Sequence, residues 1–273
     1  MLVARYLPLP VQHWLVERNV PYADATGNIR IALDRPAQFL RDVGEAKDPW
    51  RGPGRPKANL TGEPPARVVR ALVDYRPPYS VPKVIELSGS SSGATYRVID
   101  FLEDQALIER SPRGPIEDVR WRPLLDRWAM DYGFARTNAV TSYLAPRGLP
   151  DLMKRLAAAD GEEDNFRYAV TGSLATPKWE AYAPARSGLI YTDDPPAMAA
   201  RFDLRAVDAG ANVLLARNAY DVIFDRTENL DGVTVVAPSQ AAVDLMTGPG
   251  RNPAEAEALL DWMQANEAQW RSG

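Results

Sequence analysis

The chain has 273 residues, 45% of them hydrophobic and 25% charged, with a formal net charge of −4, which fits a folded globular protein of about two domains and excludes a wholly disordered or coiled-coil chain. The absence of cysteine and the presence of one histidine, His13, exclude disulfide frameworks, cysteine-histidine zinc sites and CxxC redox motifs, so no metal or cofactor is expected. No run of about 18 apolar residues reads as a membrane span and the stretch MLVARYLPLPVQHW lacks signal-peptide order, so a cytoplasmic protein without membrane contact is expected.

Val11, Trp14, Leu15 and Val16 recur at helical spacing, followed by Asp24-Ala25-Thr26-Gly27-Asn28 and the alternating Ile29, Ile31 and Leu33. This predicts a helix, a turn and a strand. His13, on an otherwise apolar stretch, reads as a packed or interface side chain rather than a catalyst. From Asp48 to Pro65 the composition shifts to proline, glycine and basic residues, a linker that cannot pack a core. Residues 1–62 are therefore read as an α/β element with a basic linker.

The next segment predicts a helix over Pro65–Tyr75 with Val68, Val69, Leu72 and Val73 on one face, stopped by Pro77-Pro78. Ser80 is a plausible N-cap for a short helix, Val81 to Leu87, which Gly89 ends. One of Ser90, Ser91 and Ser92 caps a third helix to about Gln105, with Val98, Ile99, Phe101 and Leu102 at a 3.6 period. Phe101 belongs either to the core or to an apolar domain or homodimer contact. Leu107-Ile108, a turn at residues 111–115, and Ile116 to Trp121 complete a hairpin. Three helices and a hairpin describe a winged helix-turn-helix, assigned to residues 63–135 with the amphipathic helix Pro123–Tyr132. Residues 136–273 alternate helix and strand, so the fold class is α+β: a winged helix-turn-helix joined to a mixed α/β carboxyl-terminal domain.

Between Arg51 and Arg97 eight bases face three acids, which puts this window at net +5 and the rest of the chain at −9. An acidic chain thus carries a basic module, and Lys and Arg at a surface are what phosphate contacts require. The start of the third helix, Ser91, Ser92, Gly93, Ala94, Thr95, Tyr96 and Arg97, is small and hydroxyl-rich before one arginine. It is the candidate reading surface, in which Arg97 reaches a guanine edge or a phosphate of double-stranded DNA. Lys83, Arg110 and Arg113 are candidate phosphate anchors. Arg51, Arg55 and Lys57 sit in Arg51-Gly52-Pro53-Gly54-Arg55-Pro56-Lys57, which resembles a minor-groove AT-hook without its uninterrupted Arg-Gly-Arg-Pro.

Gly172-Ser173 followed by Asp193-Asp194 is similar to the pattern of nucleotidyltransferases, whose metal ions need two carboxylates on one strand face. Adjacent acids on a strand point to opposite faces. Asp221 and Asp225 share a face only if helical, and Val222-Ile223-Phe224 reads more readily as strand. Gly248 and Gly250 are too sparse for a phosphate-cradling loop. No catalytic residue is assigned, and the expectation is a non-enzyme.

Taken in order, these pieces resemble the AbiEi-type family of transcriptional regulators, the antitoxin components of type IV toxin-antitoxin systems. The resemblance runs through Asp24-Ala25-Thr26-Gly27-Asn28, the Ser80–Ile108 segment, Tyr168-Ala169-Val170-Thr171-Gly172, Leu189 to Pro195, Gly210-Ala211-Asn212-Val213, Gly232 to Gln240 and Gly250-Arg251. It implies a DNA-binding autorepressor whose carboxyl-terminal domain is nucleotidyltransferase-like without the catalytic acids. A cognate toxin is an implied partner. The sequence departs from the family pattern at Ser90 and Thr95, where apolar core residues are usual, and at Ala106, where a glycine usually precedes the wing. The alternative reading is a protein-protein module whose carboxyl-terminal domain binds a toxin or another partner, with DNA binding secondary.

Overall fold

The computed structural model describes residues 1–34, 37–45, 48–50, 59–111, 114–159, 166–180 and 182–272, and the chain divides into two compact units, Met1–Lys57 and Ala58–Gly273. In the first unit β1 (Leu2–Ala4), α1 (Leu9–Glu17), β2 (Tyr22–Asp24), β3 (Ile29–Asp34) and β4 (Ala37–Asp42) follow one another. The four strands lie in chain order, β1 parallel to β2 and the other neighbours antiparallel. Leu7, Leu15 and Tyr22 form the small core, and His13 is exposed on α1 rather than packed. The turn before β3 is organised by Asp24, whose carboxylate accepts from Leu7 N, Thr26 N and Oγ1, and Asn28 N and Nδ2 at 2.6 to 3.1 Å. Burial alone would raise this carboxyl, but the five donors outweigh it and hold it down at about 2.

The second unit begins with α2 (Glu63–Asp74), α3 (Val81–Ser88) and α4 (Ser92–Asp104), then β5 (Ile108–Arg110), β6 (Ile116–Val119), α5 (Trp121–Ala129) and α6 (Phe134–Thr137). The caps follow the expected chemistry: Ser80 accepts from Lys83 N and Ser91 from Ala94 N, each at 3.3 Å, while Gly89 ends α3 at φ +60°. The chain continues through β7 (Ala139–Leu144), α7 (Leu149–Ala158), β8 (Tyr168–Thr171), β9 (Gly188–Thr192), α8 (Pro195–Arg201), β10 (Arg205–Ala206) and β11 (Val213–Arg217). It closes with β12 (Glu228–Leu230), β13 (Val233–Val235), α9 (Pro238–Met246), α10 (Asn252–Ala265) and α11 (Glu267–Trp270). The result is a mixed α+β fold.

Seven strands form one sheet in the order β10-β7-β11-β9-β8-β13-β12, parallel at β11/β9 and β8/β13 and antiparallel elsewhere. Two expectations need correction. The alternation of helix and strand expected over residues 136–273 is broken after β8 by a pair of short 3-10 turns, Gly172–Leu174 and Thr176–Lys178, with Pro177 in the second. The strand expected around Val222–Phe224 is likewise a 3-10 turn, Asp221–Phe224, which buries Val222 and Ile223.

One face of the sheet packs on α7 and α8 through Leu152, Leu156, Ile190 and Met198. The other joins a larger core that runs without interruption from Leu72, Val98, Leu102 and Trp128 to Leu189, Tyr191, Ala241 and Leu259. The boundary drawn from sequence at residues 135 and 136 falls inside this shared core. A buried polar network reinforces it. Arg70 on α2 donates to Asp74 at 2.9 Å, to Gln240 Oε1 on α9 at 3.2 Å and to the carbonyls of Val222 and Asp225. Ser239 Oγ donates to Asp74 at 2.5 Å, and Gln240 Nε2 reaches both Tyr132 and Asp244. The last carbonyls of α2, which a helix leaves without intrahelical donors, are met by Arg271 and Arg226.

Candidate nucleic-acid interface

Helices α3 and α4 are joined by Gly89, Ser90 and Ser91, a turn made possible by the left-handed glycine. On α4, Ala94, Thr95, Val98, Ile99 and Leu102 face the core, while Ser92, Gly93, Tyr96 and Arg97 face outward. The candidate contacts therefore split. Ser91, Ser92, Tyr96 (45% exposed) and Arg97 share one exposed surface, whereas Ala94 and Thr95 are buried and cannot touch a nucleic acid. Thr95 donates to Ser91 O at 3.1 Å and Ser90 to Pro64 O at 3.3 Å, so both polar residues at core positions are satisfied within the protein. Phe101 is half-buried against the core, with the Arg127 guanidinium 5.1 Å from its ring centroid.

The basic window is less free than its net charge suggests. Its three acids neutralise three of its bases: Glu63 pairs with Arg67, Asp74 with Arg70, and Glu86 with Lys83. Arg110, a candidate anchor, is held by Glu103 at 2.6 Å, with Asp100 at 3.8 Å. Arg97 is exposed and makes no ion pair among the described residues. Arg51, Arg55, Lys57 and Arg113 lie outside the described residues. Between the start of α3, Tyr96 and the hairpin lies a groove of about 570 Å³, whose walls include Ser80, Pro82, Arg110, Gly114 and Pro115. The sequence reading did not connect Pro82, Gly114 or Pro115 to this surface, because their meeting depends on the packing of the hairpin against α3.

Three of the four acids considered for catalysis have structural partners. Asp193 accepts from Arg167, and Asp194 caps α8 by accepting from Ala197 N at 3.1 Å. Asp221 pairs with Arg167 at 3.0 Å. Among the described residues no group of three or more histidines and carboxylates is placed to hold a metal ion. Asp244 is fully buried, accepting from Thr171 Oγ1 and Tyr191 OH at 2.7 Å and from Gln240 Nε2 at 3.0 Å. Burial pushes its carboxyl up to about 7, despite these hydrogen bonds, which favour the ionised form.

Among the described residues no helix is long and apolar enough to cross a membrane. Comparison of the chain with protein-family models, with curated proteins and with solved structures finds no match.

Proposed function

We propose that the chain is a sequence-specific DNA-binding regulator acting in the cytoplasm, with α2, α3, α4 and the β5/β6 hairpin forming a winged helix-turn-helix. The observation that carries this reading is the outward face of α4, where Ser91, Ser92, Gly93, Tyr96 and Arg97 leave a slim, polar helix start able to enter a major groove. Further support comes from Tyr79, which exchanges two backbone hydrogen bonds with Ile116 just before α3. That bridge adds a third, minimal strand to the hairpin. The resemblance to AbiEi-type regulators agrees with this reading and adds an antitoxin role, in which the carboxyl-terminal part, nucleotidyltransferase-like in shape, engages a cognate toxin rather than performing chemistry.

Because Arg67, Arg70, Lys83 and Arg110 are already engaged, phosphate binding falls to Arg97 and the basic linker, and few counterions are released on binding. Titration of double-stranded DNA from the chain's own promoter at several salt concentrations tests the proposal. Two to four neutralised phosphates per protomer correspond to a log-log slope of about −2 to −4. Arg97→Ala is expected to weaken binding by about 1 to 3 kcal/mol if the guanidinium reads a base. No detectable binding at low salt refutes the proposal. The second reading, a protein-protein module, is favoured by the engagement of Lys83 and Arg110 with carboxylates. It predicts DNA binding indifferent to Arg97→Ala together with a stable complex with a toxin encoded beside the gene.

A further inference from the structure

Away from α4, a cavity of about 300 Å³ opens where the 3-10 turn after β8, the residues entering β9 and the loop between α9 and α10 meet. Ser173, Arg186, Ser187, Gly250, Arg251 and Asn252 line it. Its chemistry is one-sided. Arg186 is exposed, with no ion pair or hydrogen bond among the described residues. Asn252 is 7% exposed and lines the cavity, yet its side-chain amide has no hydrogen-bond partner among the described residues. The amide atoms are not enclosed, so solvent meets them until a bound group takes its place. Gly248 makes room for that amide: a Cβ at this position would lie 2.3 Å from Asn252 Nδ2.

No acidic side chain among the described residues lines the space. Glu255 is 1% exposed behind the wall, accepting from Arg251 Nε at 2.8 Å and from Ser173 Oγ at 2.5 Å. It fixes Arg251, whose Nη2 also donates to Pro184 O, and leaves Nη1 uncommitted among the described residues. The backbone N–H groups of Gly250 and Arg251 are unused among the described residues, and Gly250 at φ +66° followed by Arg251 at φ −89° bends this loop as in anion-holding backbone nests. The N-terminus of α10 adds only its dipole, because the N–H groups of Asn252, Ala254 and Glu255 are already bonded and Pro253 has none.

The Arg186 guanidinium, Nη1 of Arg251, the Ser187 hydroxyl, the Asn252 amide and the unused N–H groups of Gly250 and Arg251 around a space of this size match a compact anion with several acceptor oxygens. We infer that this cavity is a binding site for the phosphate group of a small phosphorylated molecule, held by Arg186, Arg251 and Asn252. The site is separate from the α4 surface and does not depend on DNA binding.

The test is calorimetric titration of the full chain with inorganic phosphate and, separately, with adenosine 5′-monophosphate, against sodium chloride of matched ionic strength. Either phosphate-bearing probe is expected to bind and chloride is not. Arg186→Ala, at an exposed side chain that supports no packing, is expected to weaken binding about tenfold or more, as loss of a charge-assisted hydrogen bond does. Asn252→Ala is the second variant, with thermal melting to show that it folds. Binding of neither probe overturns the inference, as does binding that both folded variants leave unchanged, or an interaction confined to DNA.

Discussion

Replacing Asp244 by asparagine isolates the energetic effect of a single buried carboxyl. Its pKa rises from 3.8 to about 7 on folding, chiefly through burial. Between these values the folded state holds a proton that the unfolded state has released. The contribution of this group to stability is therefore full below about pH 4 and is lost as the pH rises to about 7. At 1.36 kcal/mol per pKa unit, a rise of roughly three units amounts to about 4 kcal/mol across that window. Asparagine keeps the shape and stays neutral. Its Oδ1 can accept from Tyr191 and Gln240, and its Nδ2 faces Thr171 Oγ1, a hydroxyl able to turn and accept. Urea unfolding of both proteins, followed by far-ultraviolet circular dichroism at several pH values, measures the difference between them and cancels every other titrating group. Asp244→Asn is expected to gain about 3 kcal/mol relative to the parent between pH 4.5 and pH 8. A difference constant within about 0.5 kcal/mol over that range would refute the assignment of the proton to Asp244.

Two further substitutions probe the three-helix segment. Ala106 follows α4 at φ +54°, with its own N–H bonded to Glu103 O and Leu107 N bonded to Leu102 O. A non-glycine residue there costs about 1 to 2 kcal/mol, part of which glycine returns through the freedom of the unfolded chain. Ala106→Gly is accordingly expected to stabilise by about 0.5 to 1 kcal/mol in urea titration, and a loss of stability counts against the strain. Arg70→Ala removes the guanidinium from beside the buried Asp74, leaving that carboxylate without its countercharge, and is expected to cost about 3 to 5 kcal/mol by the same measurement. A cost below about 1 kcal/mol would mean that the network tolerates an unpaired charge.

Helices α2, α3 and α4 were legible because each is bounded by a local signal: proline and glycine at α2, Ser80 and Gly89 at α3, Ser91 at α4. The strands that escaped notice include β1, β2 and β10, which at two or three residues are too brief to establish an alternation, and also the six-residue β4 and β7. The inward position of Thr95 was available from periodicity, since it stands three, four and seven residues before Val98, Ile99 and Leu102. The cancellation of charge was also written locally, in Glu63/Arg67 and Arg70/Asp74 at four residues and Lys83/Glu86 at three. By contrast, the contacts of Arg70 with Gln240 and Val222 span more than 150 residues, and the phosphate-site candidates are drawn from three separated segments. Such meetings are decided by how the sheet packs, which no local pattern records.

The Arg70 network bears on how this protein can be dissected. Severing the chain near residue 135 would strip the Arg70 guanidinium of Gln240 and of the Val222 and Asp225 carbonyls, and would deny α2 the arginines that close its final turn. The smallest piece that keeps α4 in its native setting is thus the whole of residues 58–273. A fragment ending at the β5/β6 hairpin would report on a differently supported helix, and its affinity for any ligand would describe that fragment alone.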